Sequence, residues 1–292
     1  METQQVLKQV RKIELKTKNL VDGLLQGAYH SVFKGRGIEF SEVREYMPGD
    51  DIRTIDWNVT ARMNHPFVKE FIEERDLTVY LLMDVSASNE FGSSKSKKEA
   101  SIELAASLMF AALRNNDKTG LCMFTDGVEK FIPARKGKRH TLRLIGEMIN
   151  FNPKNKTTDI KSALEFLSKI IKKRSIIFLI TDFFADTGFY KPLKILKKKH
   201  DVIAINLNDV REAAIPDVGL IELEDEETGE QVLVDTSDPE FRDNYVKLVD
   251  ERNTLLNHML RRLKMDIIQL KSDEPYEIPL RRFFKLRQRR QR

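Results

Sequence analysis

Two nearly unbroken apolar runs, each ending in an acidic residue, constrain the fold of this chain more than any other feature. The first, L-T-V-Y-L-L-M-D, ends at Asp84, and the second, S-I-I-F-L-I-T-D, ends at Asp182. Such runs are typical of strands that are buried on both faces, as in parallel sheets. Amphipathic stretches with helical spacing lie between them. The sequence therefore predicts a doubly wound, mainly parallel α/β sheet of the Rossmann-like kind.

The spacing of apolar residues predicts the other elements. Strands are expected at 119–124, 201–207 and 266–270, with hairpins after the D-G at 126–127 and around 221–234. Helices are expected at 4–22, 96–115, 141–150, 160–172, 189–199 and 239–263. Two β-like stretches, 30–34 and 67–73, flank the polar block 44–62. In parallel α/β sheets ligands bind beyond the carboxyl ends of the strands, so a site is expected there.

Composition divides the chain into three parts. Residues 1–76 contain too few apolar residues for a core of their own, so we expect an N-terminal helix and a β-rich appendage there. Residues 77–272 are expected to form the α/β domain. Residues 273–292 are expected to form a basic tail.

The net charge of +5 belongs to that tail. The last twelve residues carry seven Lys or Arg and no acid, so the remaining chain has 43 basic and 45 acidic residues. The tail is interpreted either as a disordered solubilising end or as a binding segment. In the second case it would hold nucleic-acid phosphates or an anionic membrane surface, with Phe283 and Phe284 stacking on bases or inserting into lipid.

Export and membrane insertion have no signal in the sequence. The apolar runs are far shorter than the ~20 residues of a membrane-spanning helix. The N-terminal M-E-T-Q-Q-V-L-K lacks an apolar signal region. Cys122 is the only cysteine, which excludes a disulfide framework, and its apolar context predicts a buried side chain. We therefore expect a cytoplasmic location.

Oxygen-bearing side chains follow the predicted strands. Asp84, Ser86 and Ser88 lie in D-V-S-A-S after the first strand, Asp182 ends the second, and Thr158 lies in K-T-T-D-I before a helix. If the two strands are neighbours, both carboxylates reach the same edge of the sheet. Carboxylates and hydroxyls, without thiolate or imidazole, suit a hard cation such as Mg²⁺. Neutral hydroxyl ligands would leave the metal electrophilic, with an open position for a carboxylate from another molecule.

The same residue types also have a purely structural interpretation. Asp, Ser and Thr after a strand are common helix N-caps and turn formers, and Thr158 followed by Asp159 fits a cap. Each loop alone fits either interpretation. Three such loops at strand ends, in this order, favour the cation site.

D-V-S-A-S, T-T-D-I-x-x-A-L and I-T-D resemble the three loops of the metal-ion-dependent adhesion site (MIDAS) of von Willebrand factor A domains. More specific motifs precede the first strand, namely F-x-G-R-G-I-E-F, R-E-Y-M-P-G-D-D-I-R-x-I-D-W-N-V-T-A-R and F-V-K-E-F-x-E-E-R-D. These resemble the signature of the DUF58 family, whose members carry a von Willebrand A-like domain and are typically associated with MoxR-type AAA+ ATPases. The resemblance covers roughly residues 20–210.

The resemblance implies a role for each residue of the strand-end set. Ser86 and Ser88 would ligate Mg²⁺, or another divalent cation, directly, and Thr158 would do so directly or through water. Asp84 and Asp182 would act directly or through water, fixing the site and balancing its charge.

The resemblance also implies a function. The chain would be a non-enzymatic, chaperone-like interaction module that helps to assemble or activate other complexes. Its partner would be a MoxR-type ATPase or the client of that ATPase, and it would have no small-molecule substrate. One departure from the pattern is Phe183, which follows Asp182 where many A domains have glycine. We expect this bulky residue to narrow the site or to add an apolar rim.

The polar block 44–62 has two interpretations, which can coexist. Its P-G-D-D favours a tight turn, its arginines can pair with its aspartates, and its tryptophan can supply an apolar anchor. It is then either an ion-paired knot that packs the appendage against the A domain or a docking surface for a partner. The residues that carry either role are Arg44, Asp50, Asp51, Arg53, Asp56, Trp57 and Arg62.

Enzyme motifs are missing from the sequence. There is no G-x-x-x-x-G-K-[ST] and no G-x-S-x-G, and the five histidines lack metal-ligand spacing. The remaining enzymatic alternative is a Mg²⁺-dependent phosphoesterase or nuclease that uses Asp84 and Asp182. The first loop lacks the clustered acids that suit two metals, and no general base is evident, so we expect no enzymatic activity.

Overall fold

The computed structural model places the chain in two compact units, each with its own strands. The larger unit comprises Met1–Val32 and Thr78–Arg292, and the smaller one comprises Phe33–Leu77. The structure describes residues 3–21, 29, 38–73, 77–87, 96–184, 187–209, 212, 214–224, 229 and 231–290. The N-terminal helix and the C-terminal residues thus group with the α/β unit, whereas the sequence-based division separates them from it.

The helices and strands follow one another in the order that the sequence predicts, with three additions in residues 38–63 and 277–290. The helices are α1 (Thr3–Leu20), α2 (Trp57–Met63), α3 (Lys97–Arg114), α4 (Lys138–Asn150), α5 (Ile160–Ile170), α6 (Tyr190–Lys199), α7 (Pro239–Arg262) and α8 (Glu277–Arg290). The strands are β1 (Ile38–Glu45), β2 (Phe67–Glu73), β3 (Thr78–Asp84), β4 (Lys118–Phe124), β5 (Val128–Arg135), β6 (Ile176–Thr181), β7 (Asp201–Asn208), β8 (Leu220–Glu224), β9 (Gln231–Asp235) and β10 (Asp266–Lys271).

Six strands form the central sheet of the larger unit, in the order β10-β7-β6-β3-β4-β5. All neighbours run parallel except β5, which returns antiparallel beside β4. The structure therefore has the mixed α/β fold with a mainly parallel sheet that the apolar runs predict. β8 and β9 form a separate two-stranded antiparallel sheet.

Helices pack against both faces of the sheet, because successive side chains of a strand point in opposite directions. On one face, alternate strand residues such as Leu82 and Leu179 share a core cluster with residues of α5, α6 and α7. Helix α5 contributes Ile160, Ala163, Leu164 and Leu167, at the spacing of an amphipathic helix. On the other face, β3 and β4 contact α3, and β4 also contacts α4.

The order of the strands reverses at β3. The connection through α3 places β4 on one side of β3, whereas β6 lies on its other side. Open α/β sheets bind ligands beside such a switch point, at the carboxyl ends of the strands. Asp84 ends β3 and Asp182 directly follows β6, so both acids lie at this point.

The basic C-terminal segment is helical and packs into the larger unit. Helix α8 buries Leu280, Phe283 and Phe284. Arg287 forms an ion pair with Asp201. The interpretation of residues 273–292 as a disordered tail is therefore wrong for the helical part, and the two phenylalanines, 8% and 1% exposed, are not accessible for stacking on bases or inserting into lipid.

The smaller unit is built on one antiparallel pair of strands. β1 pairs with β2, and the connection between them contains α2 and a 3₁₀ turn at Ile52–Thr54. The predicted β-like stretch 67–73 coincides with β2. The one predicted at 30–34 lies outside the described residues.

No helix of the described residues is both long and apolar enough to cross a bilayer.

Candidate functional site

The loop after β3 is organised around the buried carboxylate of Asp84. One carboxylate oxygen accepts hydrogen bonds from the backbone amide of Ser86 at 3.0 Å and from the Ser86 hydroxyl at 2.7 Å. Both side chains are about 1% exposed. The sequence D-V-S thus forms a short turn in which the aspartate fixes the position of the serine hydroxyl. Ser88, the third member of this motif, lies outside the described residues.

Strand β6 supplies a second hydroxyl to the same carboxylate. Because β3 and β6 are parallel neighbours in which Met83 pairs with Ile180, the next residues along each strand meet at the sheet edge. The hydroxyl of Thr181 donates to the other carboxylate oxygen of Asp84 at 2.7 Å. The expectation that the two strand ends lie side by side is thereby met, and Thr181 is a site residue that the sequence reading did not single out.

Asp182, the second predicted acid, is paired with a buried lysine. The ammonium of Lys97 lies 2.9 Å from a carboxylate oxygen of Asp182 and 2.5 Å from one of Glu212. Lys97 is 0% exposed at the start of α3. Burial alone lowers the pKa of Lys97, but the charges of Asp182 and Glu212 outweigh burial and hold that pKa above its usual value. The site therefore contains its own fixed cation.

The hydrogen-bond network around Lys97 continues into the C-terminal part of the larger unit. Glu212 also accepts a hydrogen bond from the backbone amide of Asp209 at 3.0 Å, and Asp209 accepts one from the hydroxyl of Ser272 at 2.5 Å. The hydroxyl of Tyr245, on α7, donates to the backbone carbonyl of Glu212 at 3.0 Å. Asp182 is thus held through Lys97 and Glu212 by residues that follow β7 and β10.

A second loop brings Thr158 to this edge. The backbone amide of Ala87 donates to the carbonyl of Lys156 at 3.0 Å, and the amide of Asp159 donates to the carbonyl of Thr125 at 2.8 Å. Thr158, between these two anchors, is half-buried. Asp159 caps α5 by accepting a hydrogen bond from the amide of Ser162. In T-T-D the helix-capping interpretation therefore applies to Asp159, and the site interpretation concerns Thr158.

The carboxylate of Glu129 fixes the beginning of that loop. It accepts hydrogen bonds from the backbone amides of Lys154 at 2.9 Å and Asn155 at 3.2 Å, and from the hydroxyl of Thr125 at 2.7 Å. Burial raises its pKa, but these hydrogen bonds dominate and the pKa of Glu129 lies below its usual value. The loop that carries Thr158 is therefore held to the β4–β5 hairpin by an ionised group.

The surroundings of Asp84 make its ionised form unfavourable and raise the pKa of its carboxyl. Burial raises the pKa of this carboxyl, the nearby charge of Asp182 raises it further, and hydrogen bonds from Ser86 and Thr181 only partly offset both effects, which leaves it at about 6. The negative charge at the sheet edge therefore remains unfavourable even with Lys97 in place. A divalent cation bound there would relieve this strain.

Phe183, the departure from the A-domain pattern, does not form a rim. Its φ of 55° lies in the left-handed region, which is unusual for a bulky residue and explains why glycine suits this position. The ring is 4% exposed and packs 5.8 Å from that of Phe189. The exposed ring is that of Phe184, 59% exposed, with the guanidinium of Arg252 at 3.5 Å from its centre.

The donor set fits a hard cation bound mainly through hydroxyls. Within the described ranges no three His, Cys, Asp or Glu side chains come together as a metal-binding group, so such a cation would depend on serine and threonine oxygens. Ser86 is held against Asp84, and Thr158 is brought to the same edge. Asp182 keeps one oxygen on Lys97, and its other oxygen accepts from the amide of Phe184 at 3.0 Å.

The polar block 44–62 contains fewer ion pairs than its charges allow. Arg44 forms two hydrogen bonds to Asp50, at 2.7 and 2.8 Å, and these hold the pKa of Asp50 at about 2. Asp51 instead caps the 3₁₀ turn, and Asp56 caps α2 and pairs with Lys69. The expected pairing of three arginines with these aspartates is therefore wrong for two of the three.

The remaining members of the block face solvent. Arg53 and Arg62 are exposed, and Trp57 is 69% exposed rather than an internal anchor. Met47, Ile52 and Met63 are also at least 60% exposed. The smaller unit therefore exposes several apolar side chains of this block.

Comparison with known proteins gives relatives along nearly the whole chain. The uncharacterized protein Rv1480 of Mycobacterium tuberculosis is 31% identical over 284 residues, which cover 96% of this chain and 89% of that protein. The uncharacterized protein YeaD of Bacillus subtilis is 34% identical over 101 residues, covering 34% of this chain and 23% of that protein.

Solved structures show weaker likeness. BatB from Bacteroides thetaiotaomicron has a TM-score of 0.49 at 15% identity, covering 73% of this chain and 99% of that one. Proximal thread matrix protein 1 from the mussel byssus, solved with a zinc-occupied MIDAS motif, has a TM-score of 0.38 at 19% identity, covering 46% and 38%. At these scores neither structure bears on the ligand of this chain.

The family assignment rests on sequence. The family described as protein of unknown function DUF58 matches residues 42–254, which include the polar block and all the described strand-end residues. Because this match spans well over half of the chain and the mycobacterial relative aligns with almost all of it, the chain belongs to the DUF58 family.

Proposed function

We propose that this chain is a non-enzymatic interaction module that binds a protein partner through a divalent cation at the carboxyl edge of its central sheet. The observation that carries the proposal is the buried, strained Asp84 carboxylate, which fixes the hydroxyl of Ser86 beside the charge of Asp182. Folding a charge into this position costs stability, and a bound cation would recover it.

The residues of the chain prepare the site for a carboxylate from outside. Ser86 and Thr158 offer neutral oxygens, and Asp84 balances charge beneath them. A cation held this way, Mg²⁺ by preference or another divalent ion, supplies an open coordination position of high positive charge. Lys97 keeps Asp182 oriented and removes part of the negative charge that would repel an incoming acid. A single such contact gives orientation, while surrounding contacts give area.

The chemistry of the site favours binding over catalysis. A metal-dependent phosphoesterase needs carboxylates to hold the metal beside an activated water. Here Asp84 accepts hydrogen bonds from two hydroxyls, and Asp182 is committed to Lys97. We therefore infer an interaction module and treat hydrolysis of phosphoesters as the alternative that the experiment must exclude.

The partner we propose is a MoxR-type AAA+ ATPase, or a client on which that ATPase acts, in the cytoplasm. The DUF58 signature is what links this chain to such ATPases, so the link is an association and not a consequence of the site geometry. The exposed ring of Trp57, with Arg53 and Arg62, is proposed as a second contact for the same partner. The role would be to assist assembly or activation of other complexes.

A pull-down with the cognate MoxR-type ATPase tests the proposal. We expect capture in Mg²⁺, loss of most capture in EDTA, and a similar loss in the Ser86→Ala/Ser88→Ala variant. The Ser175→Ala variant is a matched control, because this serine lies just before β6, at the opposite end of the strand from the site, and its hydroxyl donates to the carbonyl of Lys173. Capture that ignores both EDTA and the double variant would exclude the metal bridge.

The same preparations address the enzymatic alternative. We expect no turnover of generic phosphoesters with Mg²⁺ or Mn²⁺. Metal-dependent hydrolysis that disappears in Asp84→Ala would replace the interaction module with a hydrolase.

A further inference from the structure

A groove of about 690 Å³ lies between α5 and α6, outside the strand-end site. Both helices begin at the carboxyl edge of the sheet, since α5 starts just after Thr158 and α6 starts a few residues after Asp182. Its lining residues are Lys161, Glu165, Ser168, Lys169, Gly188, Tyr190, Lys191, Pro192 and Ile195. Lys161 lies in the first turn of α5 and Gly188 precedes α6, so one end of the groove adjoins the loops of the candidate site.

The groove combines exposed apolar surface with positive charge. Ile195 on its wall is 57% exposed, and Ile170, at the end of α5, is 47% exposed. Three lysines line it against a single glutamate. Within the described part of the chain none of Lys161, Lys169 and Lys191 has a carboxylate partner in the molecule. Helix α6 as a whole carries five lysines and no acid, so the field around the groove is positive.

We propose that this groove binds an acidic segment of a partner protein, with apolar side chains against Ile195 and carboxylates beside the lysines. The positive charge of the lining lysines calls for a negatively charged ligand. The exposed apolar wall calls for a ligand with apolar side chains, which the phosphate backbone of a nucleic acid lacks. Glu165 inside the groove would also repel a continuous polyanion. Nucleic acid is therefore the less suitable ligand. The proposal rests on the proposed function for the identity of the partner. It extends that function by stating the chemistry of the partner segment that lies next to the metal-bound carboxylate.

Binding in the groove has a physical signature of its own. The lysines are solvent-exposed, so their attraction to an acidic peptide is screened by salt within about 10 Å at 0.1 M ionic strength. The contact with Ile195 is not screened. We therefore expect affinity to fall several-fold as salt rises from 50 to 300 mM, and to fall further when the apolar wall is made polar in Ile195→Ser.

The test uses the full chain and a fluorescein-labelled twelve-residue peptide of alternating Glu-Glu and Leu-Leu pairs. Fluorescence anisotropy is measured for the wild type, for Lys169→Glu/Lys191→Glu in the groove, and for Arg281→Glu/Lys285→Glu on the exposed face of α8, which changes the net charge equally. We expect the groove variant to bind at least tenfold more weakly and the α8 variant to bind within twofold of the wild type. All substituted side chains are exposed, and circular dichroism verifies that each variant is folded.

Three results would overturn the proposal. These are equal weakening by the two double variants, undiminished binding of the peptide with glutamine in place of glutamate, and tighter binding of a poly-dT oligonucleotide than of the peptide. The titrations are run in EDTA, so peptide binding does not depend on the metal. Peptide binding in EDTA together with a metal-independent pull-down would retain the groove and reject the metal bridge. Absence of peptide binding together with a metal-dependent pull-down would retain the metal bridge and reject the groove.

Discussion

Replacing Lys97 with methionine is expected to lower the free energy of unfolding by about 3–5 kcal/mol, because removal of the lysine leaves the buried carboxylate of Asp182 and the partly buried one of Glu212 without their counter-charge. Asp182 is 4% exposed and lies 2.9 Å from the ammonium, and Glu212 lies 2.5 Å from it. Methionine fills a similar volume, so the loss reports charge rather than a cavity. Urea unfolding in EDTA at pH 7.5 measures it. This makes Lys97 the most sensitive single position of the site.

Two further variants separate the ion pair from general effects. Lys198→Met removes an exposed lysine of α6 and is expected to change stability by less than about 0.5 kcal/mol. Adding Glu212→Gln to Lys97→Met is expected to recover part of the loss, since one uncompensated charge is removed, and the coupling should exceed about 1 kcal/mol. A Lys97→Met variant as stable as the wild type would show that the lysine does not balance these carboxylates.

Replacing Asp84 with asparagine is expected to stabilise the metal-free protein by about 1–3 kcal/mol at pH 7.5. In the folded protein the pKa of Asp84 is raised from 3.8 to about 6, mainly by burial and then by the charge of Asp182. At neutral pH the buried carboxylate is therefore ionised at a cost that the unfolded chain does not incur. Asparagine has no charge and retains an oxygen to accept the hydrogen bonds of Ser86, while its amide nitrogen would donate to the hydroxyl of Thr181, which now donates to the second carboxylate oxygen. The aspartate that the candidate metal site requires at position 84 therefore lowers the stability of the metal-free protein.

The dependence on pH follows from the sign of this shift. Between pH 4 and 6 the folded state binds more protons at Asp84 than the unfolded state, so this group makes the wild type lose stability as the pH rises. Below pH 4 both states are protonated, and the advantage of asparagine is expected to disappear. Urea unfolding of both proteins in EDTA at pH 3.5 and 7.5 measures this. An Asp84→Asn variant that is less stable than the wild type at pH 7.5 would contradict the strain assigned to this carboxyl.

Some of the site was accessible from the sequence because the signal is local. Apolar runs that end at Asp84 and Asp182 locate the strand ends, and parallel strands bring their ends to one edge. Lys97 gave no such signal, because it lies among other lysines and serines and has the composition of a solvated turn. Its partner Glu212 is 115 residues away along the chain. A contact of that separation is decided by the fold and not by neighbouring residues.

The C-terminal segment shows how composition can conceal periodicity. Seven basic residues among the last twelve indicate a tail, yet Leu280, Phe283, Phe284 and Arg287 recur at the spacing of one helix face. The three apolar members of this set are buried. Trp57 shows the opposite error. The sequence suggests a buried apolar anchor, but the side chain is exposed. A single aromatic residue in a polar block belongs to no periodic pattern from which its burial could be predicted.

Calorimetric titration of Mg²⁺ into the metal-free chain tests the central claim most directly, with Ser86→Ala and the control Ser175→Ala titrated in parallel. The account predicts one binding site per chain in the wild type and in Ser175→Ala. In Ser86→Ala the affinity should fall at least tenfold, which corresponds to about 1.4 kcal/mol. Absence of binding by the wild type, or equal affinity of the wild type and Ser86→Ala, would contradict a cation site at the ends of β3 and β6.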